Sequence, residues 1–168
     1  MILIRTLKNS FSGIAALESA YRLYKGRPSR EEDAVFNEQA MLNCMSGGCD
    51  GGNAFDVYEH ASREGVYLES NTNMGSYQGM KVSDKCQKKR KGRWSPPVYL
   101  SSYCASDVRS DREIEELVYK YGPMTLVIRA GDSWRNTRGV AHFDEKGDPN
   151  HMVLIVGWQH NAWIIKNR

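Results

Sequence analysis

The chain has 168 residues, of which 40% are apolar and 10% aromatic, and its 23 basic and 20 acidic residues give a formal net charge of +3. This composition is typical of one globular domain and excludes disordered, collagen-like and coiled-coil proteins. The longest apolar segment, Met152 to Trp158, is far shorter than the roughly 20 residues of a membrane-spanning helix. The start, Met1 to Arg5, is too short for the roughly 7–15 apolar residues of a secretory signal, so we expect no signal peptide in the chain as written.

Apolar residues at steps of three and four predict helices in the first half of the chain. The first helix begins near Ser10 and ends before Gly26 and Pro28. A short capped helical turn follows at 36–42, and a longer helix at 55–65 ends on a glycine. Between them, the segment 46–52 contains four glycines, which predicts a tight loop with exposed backbone.

The second half has a different pattern. After a long polar loop at 67–97, Ser110 and Glu113 form a capping-box sequence that opens a further helix, which Gly122-Pro123 stops. Short runs rich in Val and Ile then predict strands at 124–130, 139–143, 151–158 and 162–166. We therefore expect one α+β domain over 1–168, with a helical part at about 10–105 and a β-rich part at 106–168.

Two features leave alternatives open. The basic run Lys88 to Arg93 could meet a polyanion, but without a nucleic-acid motif around it we expect a solvated loop. The four cysteines could form two disulfides in three connectivities, bind zinc or stay reduced. Only Cys44 and Cys49 are close in sequence, which disfavours zinc. We predict no metal and no cofactor.

One histidine stands out as a candidate catalytic residue. His151 begins a strongly apolar strand directly after a turn, where its side chain can project into a cleft, whereas His142 lies within a predicted strand. Asn167 ends the next strand, so pairing of the two strands would bring both side chains together. A histidine oriented by an asparagine is a protease geometry. The alternative is an ordinary histidine at a strand end.

Short motifs over nearly the whole chain form one ordered set. They are Phe11-Ser12 with Leu17-Glu18, Asn37 to Cys44, Gly48 to Gly52, Tyr121-Gly122-Pro123, Asn150-His151 to Trp158, and Trp163 to Asn167. In this order the chain resembles the papain-like cysteine peptidases of the cathepsin group. The resemblance implies a helical left domain and an antiparallel, β-barrel-like right domain with a cleft between them, here lacking both ends of the family domain.

The resemblance also implies roles for individual residues. His151 would act as base and then acid for a thiolate nucleophile, and Asn167 would hold the histidine ring. An extended peptide would bind along Gly51 and Gly52, and one of its side chains would lie between the apolar residues Val127 and Met152. The same resemblance pairs Cys44 with Cys86 in a disulfide and implies a lysosomal or extracellular location.

The residues before Phe11 depart from the family pattern. Lys8 occupies the nucleophile position, Ile2 replaces the oxyanion glutamine, and Arg5 replaces the partner cysteine of Cys49. An ammonium group with a pKa of about 10.4 is not nucleophilic at neutral pH. We therefore expect a papain-like peptidase domain that is inactive in this chain.

The alternatives differ in what the domain would bind. The first is a non-catalytic module for peptides or proteins, and a weaker one is a basic scaffold that uses Lys88 to Arg93. The expected partner is a peptide or protein substrate or an inhibitor-like ligand. We expect the chain to be a monomer that binds neither nucleic acid nor membrane.

Overall fold

A computed structural model describes residues 9–26, 34–45, 53–71, 77–78, 80, 97–108, 110–131, 134, 139–141 and 147–167. Within these ranges lie the helices α1 (Asn9–Lys25), α2 (Glu38–Cys44), α3 (Ala54–Arg63) and α4 (Asp111–Tyr121), a short 3-10 turn (Glu69–Asn71), and the strands β1 (Met124–Ile128), β2 (His151–Gln159) and β3 (Ala162–Lys166). No helix in these ranges is long and apolar enough to cross a membrane.

Helices α1 and α3 pack closely and form the core of the helical half. Gly13 allows the close approach, because a Cβ at this position would lie 3.2 Å from the Cβ of Val57 on α3. Burial of apolar surface around this contact is the main stabilising term. The buried members of this core are Ile14, Leu17, Phe36, Met41, Val57, Ala61 and Val66.

Short backbone contacts attach the connecting segments to this core. The side chain of Asn37 caps α2 by accepting a hydrogen bond from the amide of Ala40 at 2.7 Å. An isolated antiparallel bridge joins Phe36 to Leu68, and another joins Val66 to Val98. These bridges hold part of the predicted loop at 67–97 against the helices.

The three strands form one antiparallel sheet in the order β1-β2-β3. One face packs against α4, where Ile155 lies buried with Ile114 and Val118. Strand residues alternate between faces, so Thr125, Val127 and their partners in β2 belong to the opposite face. That face meets α1 and α3, which places the boundary between the two halves along β1 and β2.

The α+β class predicted from the sequence is confirmed, and the predicted helices and strands agree with the observed bounds to within about three residues. One predicted strand is wrong in its described part, because residues 139–141 lie outside any strand. Val140 is 68% exposed, so its apolar character reflects no packing against the sheet. Positions 142 and 143 lie outside the described residues, and the predicted division at 105/106 stays a prediction.

Candidate functional site

His151 and Asn167 lie next to each other at one end of the sheet. His151 is the first residue of β2, and Asn167 directly follows the last residue of β3. The Nε2 atom of His151 and the Oδ1 atom of Asn167 are 2.8 Å apart. Since an amide oxygen can only accept, Nε2 is the donor in this contact, and in a neutral imidazole the other nitrogen, Nδ1, is then the acceptor. The sequence predicted this proximity, whereas the catalytic role of the pair stays a prediction.

The backbone around His151 is fixed by the residue before it. The side chain of Asn150 accepts a hydrogen bond from the amide of Ala130 at 2.8 Å and donates one to the carbonyl of Ala130 at 3.0 Å. The backbone amide of Asn150 donates to the carbonyl of Ile128 at 3.0 Å. These three bonds clamp the entry of β2 onto the end of β1 and thereby orient His151. No pattern in the sequence predicts this role for Asn150.

An aromatic ring covers one side of the histidine. The rings of Trp134 and His151 are 6.4 Å apart at an interplanar angle of 64°, an edge-to-face arrangement that restricts the imidazole. Trp134 was missed by the sequence analysis, because no periodic pattern connects a residue of the 131–147 segment with His151.

The two predicted side-chain contacts for a peptide lie opposite each other in the sheet. Val127 and Met152 are direct partners in the antiparallel register of β1 and β2. Val127 is half-buried, while Met152 is buried at the sheet face that meets α1. Met152 borders a shallow pocket, whose other lining residues are Phe11, Ser12, Ala15, Glu18, Glu38 and Lys166.

Helix α3 begins next to the glycine-rich loop, and Asn53 fixes where it starts. The Asn53 side chain accepts a hydrogen bond from the amide of Phe55, while Asp56 accepts one from the amide of Asn53 at 3.0 Å, which together form a capping box. In the family resemblance, Asn53 replaces an aromatic or apolar wall residue. The structure gives a local reason for asparagine here, which is the cap. Gly51 and Gly52 themselves lie outside the described residues.

A buried carboxylate connects α1 with the end of β3. Glu18 is only 6% exposed, and its Oε1 accepts a hydrogen bond from the amide of Phe36 at 3.0 Å. Its Oε2 lies 3.8 Å from Nζ of Lys166, the residue before Asn167. The helical half therefore contacts the strand end that carries Asn167.

Several predicted site residues lie outside the described part of the chain. They are Lys8 at the nucleophile position, Ile2, Arg5, Cys49, Cys86 and the basic run from Lys88 to Arg93. Cys44 is disulfide-bonded, and its pairing with Cys86 stays a prediction. Cys104 is free and exposed. Among the described residues, no group of three or more His, Cys, Asp or Glu side chains could hold a metal ion.

The family model and the individual sequences that match this chain agree with each other. The model of the papain family cysteine protease matches residues 9–168. A viral cathepsin of Heliothis zea nuclear polyhedrosis virus is 30% identical over 165 residues, which cover 94% of this chain and 41% of the relative. Human cathepsin O is 25% identical over 179 residues, which cover 94% of this chain and 49% of the relative. The chain thus spans less than half the length of these relatives.

Solved structures of similar proteins also superpose on this chain. Digestive procathepsin L 3 from the larval midgut of Tenebrio molitor superposes with a TM-score of 0.71 and 26% identity, covering 98% of this chain and 56% of that one. Bromelain from Ananas comosus, solved in complex with the E64 inhibitor, gives 0.74 and 25%, covering 96% and 76%. Because the family model matches nearly the whole sequence, this chain belongs to the papain family of cysteine proteases.

Proposed function

We propose that this chain binds extended peptides in the groove between its helical half and its sheet and does not hydrolyse them. The observation that carries the proposal is the 2.8 Å contact between His151 and Asn167. It supports an intact general base with its orienting amide, the part of a papain-type site that lies on the sheet. The partner is a peptide or protein segment, and an inhibitor-like protein is included in this class.

Loss of hydrolysis follows from the residue at the nucleophile position. The family match begins at Asn9, so Lys8 lies just outside it. Removing the nucleophile from a catalytic triad costs on the order of a millionfold in turnover. Even a deprotonated lysine would form a stable amide with the acyl group, so it would not complete a catalytic cycle.

Peptide recognition depends on the sheet. The proposal gives one peptide side chain an apolar wall formed by Val127 with Met152 buried beside it, and it assigns strand-like hydrogen bonds to the backbone of Gly51 and Gly52. We therefore expect a preference for an aliphatic or aromatic side chain at that position. A lysosomal or extracellular setting fits this assignment, because proteins similar to this chain include cathepsins.

The proposal is tested by binding and cleavage of one peptide pair. The first is a fluorescein-labelled hexapeptide with leucine as its one large apolar residue, and the second has lysine in that place. Fluorescence anisotropy should give saturable binding of the leucine peptide, about tenfold tighter than binding of the lysine peptide. Mass spectrometry of the peptides after incubation should find them uncleaved.

Variants of the groove provide the controls. Val127→Glu should weaken binding of the leucine peptide and reduce or reverse the preference over lysine. Ile164→Thr, a change at an exposed position of β3, should leave both affinities unchanged. The proposal fails if neither peptide binds, if the lysine peptide binds best to the unmodified chain, or if the chain cleaves either peptide in a way that His151→Ala abolishes.

A further inference from the structure

A hydrogen bond joins the helical half to the sheet close to the proposed groove. The hydroxyl of Tyr58 on α3 lies 3.0 Å from Oγ1 of Thr125 on β1, and the pair is partly buried. The two residues are 67 positions apart in sequence, so the bond depends on the docking of the two halves. Neither residue belongs to the motifs that carry the family resemblance.

The surroundings of Tyr58 hold its side chain in one place. Its ring lies 6.4 Å from that of Phe55 and 5.8 Å from that of Tyr103, while the rings of Phe55 and Tyr103 are 6.0 Å apart. Such spacings are favourable for aromatic pairs. Burial raises the pKa of the Tyr58 hydroxyl above its ordinary value of 10.0, and the hydrogen bond to Thr125 opposes this rise. The hydroxyl is therefore protonated at neutral pH and can donate.

Thr125 lies on the same face of the sheet as the proposed peptide contacts. It precedes Val127 by two residues, about 7 Å along the strand, and its partner in β2 is Leu154, two residues after Met152. Lys166 pairs with Leu154 and contacts Glu18 of α1. This face therefore meets the helical half along its length, and Thr125 lies beside Val127 within it.

Tyr58 lies across from Thr125, on the helical side of the boundary between the two halves. It follows the first residue of α3, Ala54, by four positions, which is about 6 Å along the helix axis. Ala54 in turn follows Gly52 by two residues. The hydrogen bond thus connects α3 to β1, the strand that carries Val127. On α3 it lies about one helical turn after the start of the helix.

We propose that the hydrogen bond between Tyr58 and Thr125 fixes the width of the peptide groove and thereby its selectivity for one apolar side chain. This inference rests on the proposed function, because it concerns the same groove. Tyr58 and Thr125 are positioning residues, since they act through the separation between Val127 and the start of α3. Loss of either hydroxyl leaves its partly buried partner without this hydrogen bond, so α3 shifts or water enters at this point. Either change loosens the groove.

The experiment measures binding of the leucine peptide and a matched alanine peptide to hydroxyl-deletion variants. Tyr58→Phe and Thr125→Val each remove one hydroxyl at nearly constant shape. Each should weaken leucine-peptide binding about fivefold and reduce the preference for leucine over alanine. In the double variant the loss should be no larger than in the single variants, because both remove the same bond. Thr125→Ser keeps the hydroxyl and should restore the selectivity ratio, which is the affinity for the leucine peptide divided by that for the alanine peptide.

A matched control separates selectivity from general destabilisation. Tyr119→Phe removes a hydroxyl from an 86% exposed tyrosine on α4 and should leave both affinities unchanged. Equal selectivity ratios in the unmodified chain and all variants overturn the inference, even if the variants unfold at lower temperature. A failure of the unmodified chain to bind either peptide overturns the proposed function and this inference together. Binding with an unchanged ratio overturns this inference alone.

Discussion

The helical half and the sheet with α4 differ in the size of their buried apolar clusters. The helical core brings together residues from α1, α2, α3 and the segments between them, and Ile14 and Val57 are each only 1% exposed. In the sheet, Met152, Val153, Leu154 and Ile155 of β2 are at most 5% exposed, but only Ile155 is buried against α4, and Val156, Trp158 and Ile164 on the same hairpin are 39%, 41% and 46% exposed. The larger of the two buried clusters therefore lies in the helical half.

The candidate site lies in the half with the smaller buried cluster. His151 and Asn167 are held by strand pairing, by the Asn150 clamp and by their own hydrogen bond rather than by a deep core. Local hydrogen bonds can fix a side chain while contributing only about 0.5–1.5 kcal/mol each to stability. We therefore expect substitutions in the helical core to lower the free energy of unfolding. Substitutions at the sheet end should first disturb the contact between His151 and Asn167.

The largest expected effect comes from a matched pair of buried isoleucines, Ile14 and Ile155, which are 1% and 0% exposed. Ile14→Ala should lower the free energy of unfolding by about 4 kcal/mol, because its surroundings on several helices cannot collapse into the cavity. Ile155→Ala should cost about 2–3 kcal/mol, since the thinner core around it relaxes more easily. Urea denaturation followed by circular dichroism measures both. An equal or reversed order would contradict the contrast.

The contact between the halves at Glu18 should give the next largest effect. Glu18→Ala leaves the amide of Phe36 without its acceptor and removes the partner of Lys166, which should cost about 2 kcal/mol. Glu18→Gln keeps a carbonyl acceptor for the amide and should cost less. Urea denaturation of both variants tests this order. Equal losses would indicate that the charge, rather than the hydrogen bond, carries the stabilisation.

A pH-dependent effect is expected from Tyr58. Because burial raises its folded-state pKa above 10.0, the unfolded chain releases the phenol proton at lower pH than the folded chain does. The contribution of Tyr58 to the free energy of unfolding is complete below the unfolded-state pKa of about 10. It is lost as pH rises through the higher folded-state pKa. The difference in unfolding free energy between the unmodified chain and Tyr58→Phe should therefore shrink above about pH 10. A constant difference between about pH 8 and 11 would contradict this.

The smallest effect is expected at the exposed end of the sheet. Ile164→Thr keeps a β-branched residue and removes apolar surface that is already 46% exposed, so unfolding free energy should change by less than about 0.5 kcal/mol. Thermal and urea unfolding measure the change. A loss above about 1.5 kcal/mol would place Ile164 in a core.

Local signals made most of the fold predictable from the sequence. Helix α1 is marked by its apolar stripe, and helix α4 by a serine cap at Ser110 and by Gly122 at its end. Each of these signals acts within a few residues, so the sequence pattern predicts where both helices lie. The hairpin of β2 and β3 was predictable because both strands are short, apolar and adjacent in sequence. The predicted strand at 139–143 was wrong in its described part because a valine alone does not specify pairing.

The site was predictable where one hairpin builds it and unpredictable where distant segments meet. The contact between His151 and Asn167 follows from the register of two consecutive strands. Trp134, Glu18 and the bond between Tyr58 and Thr125 depend on docking of segments far apart in sequence, for which no periodicity exists. Asn53 contributes locally, because its side chain caps α3.

The central claim is that the base and its orienter are intact and that the site lacks its nucleophile as well as the oxyanion glutamine. The most direct test replaces Lys8→Cys in a Cys104→Ser background, which removes the exposed free thiol, and measures E64 labelling by peptide mass mapping. We predict labelling at position 8 that His151→Ala slows at least about tenfold, and no labelling there in the unmodified chain. Absence of labelling in the Lys8→Cys variant, or labelling that His151→Ala leaves unchanged, would contradict the account.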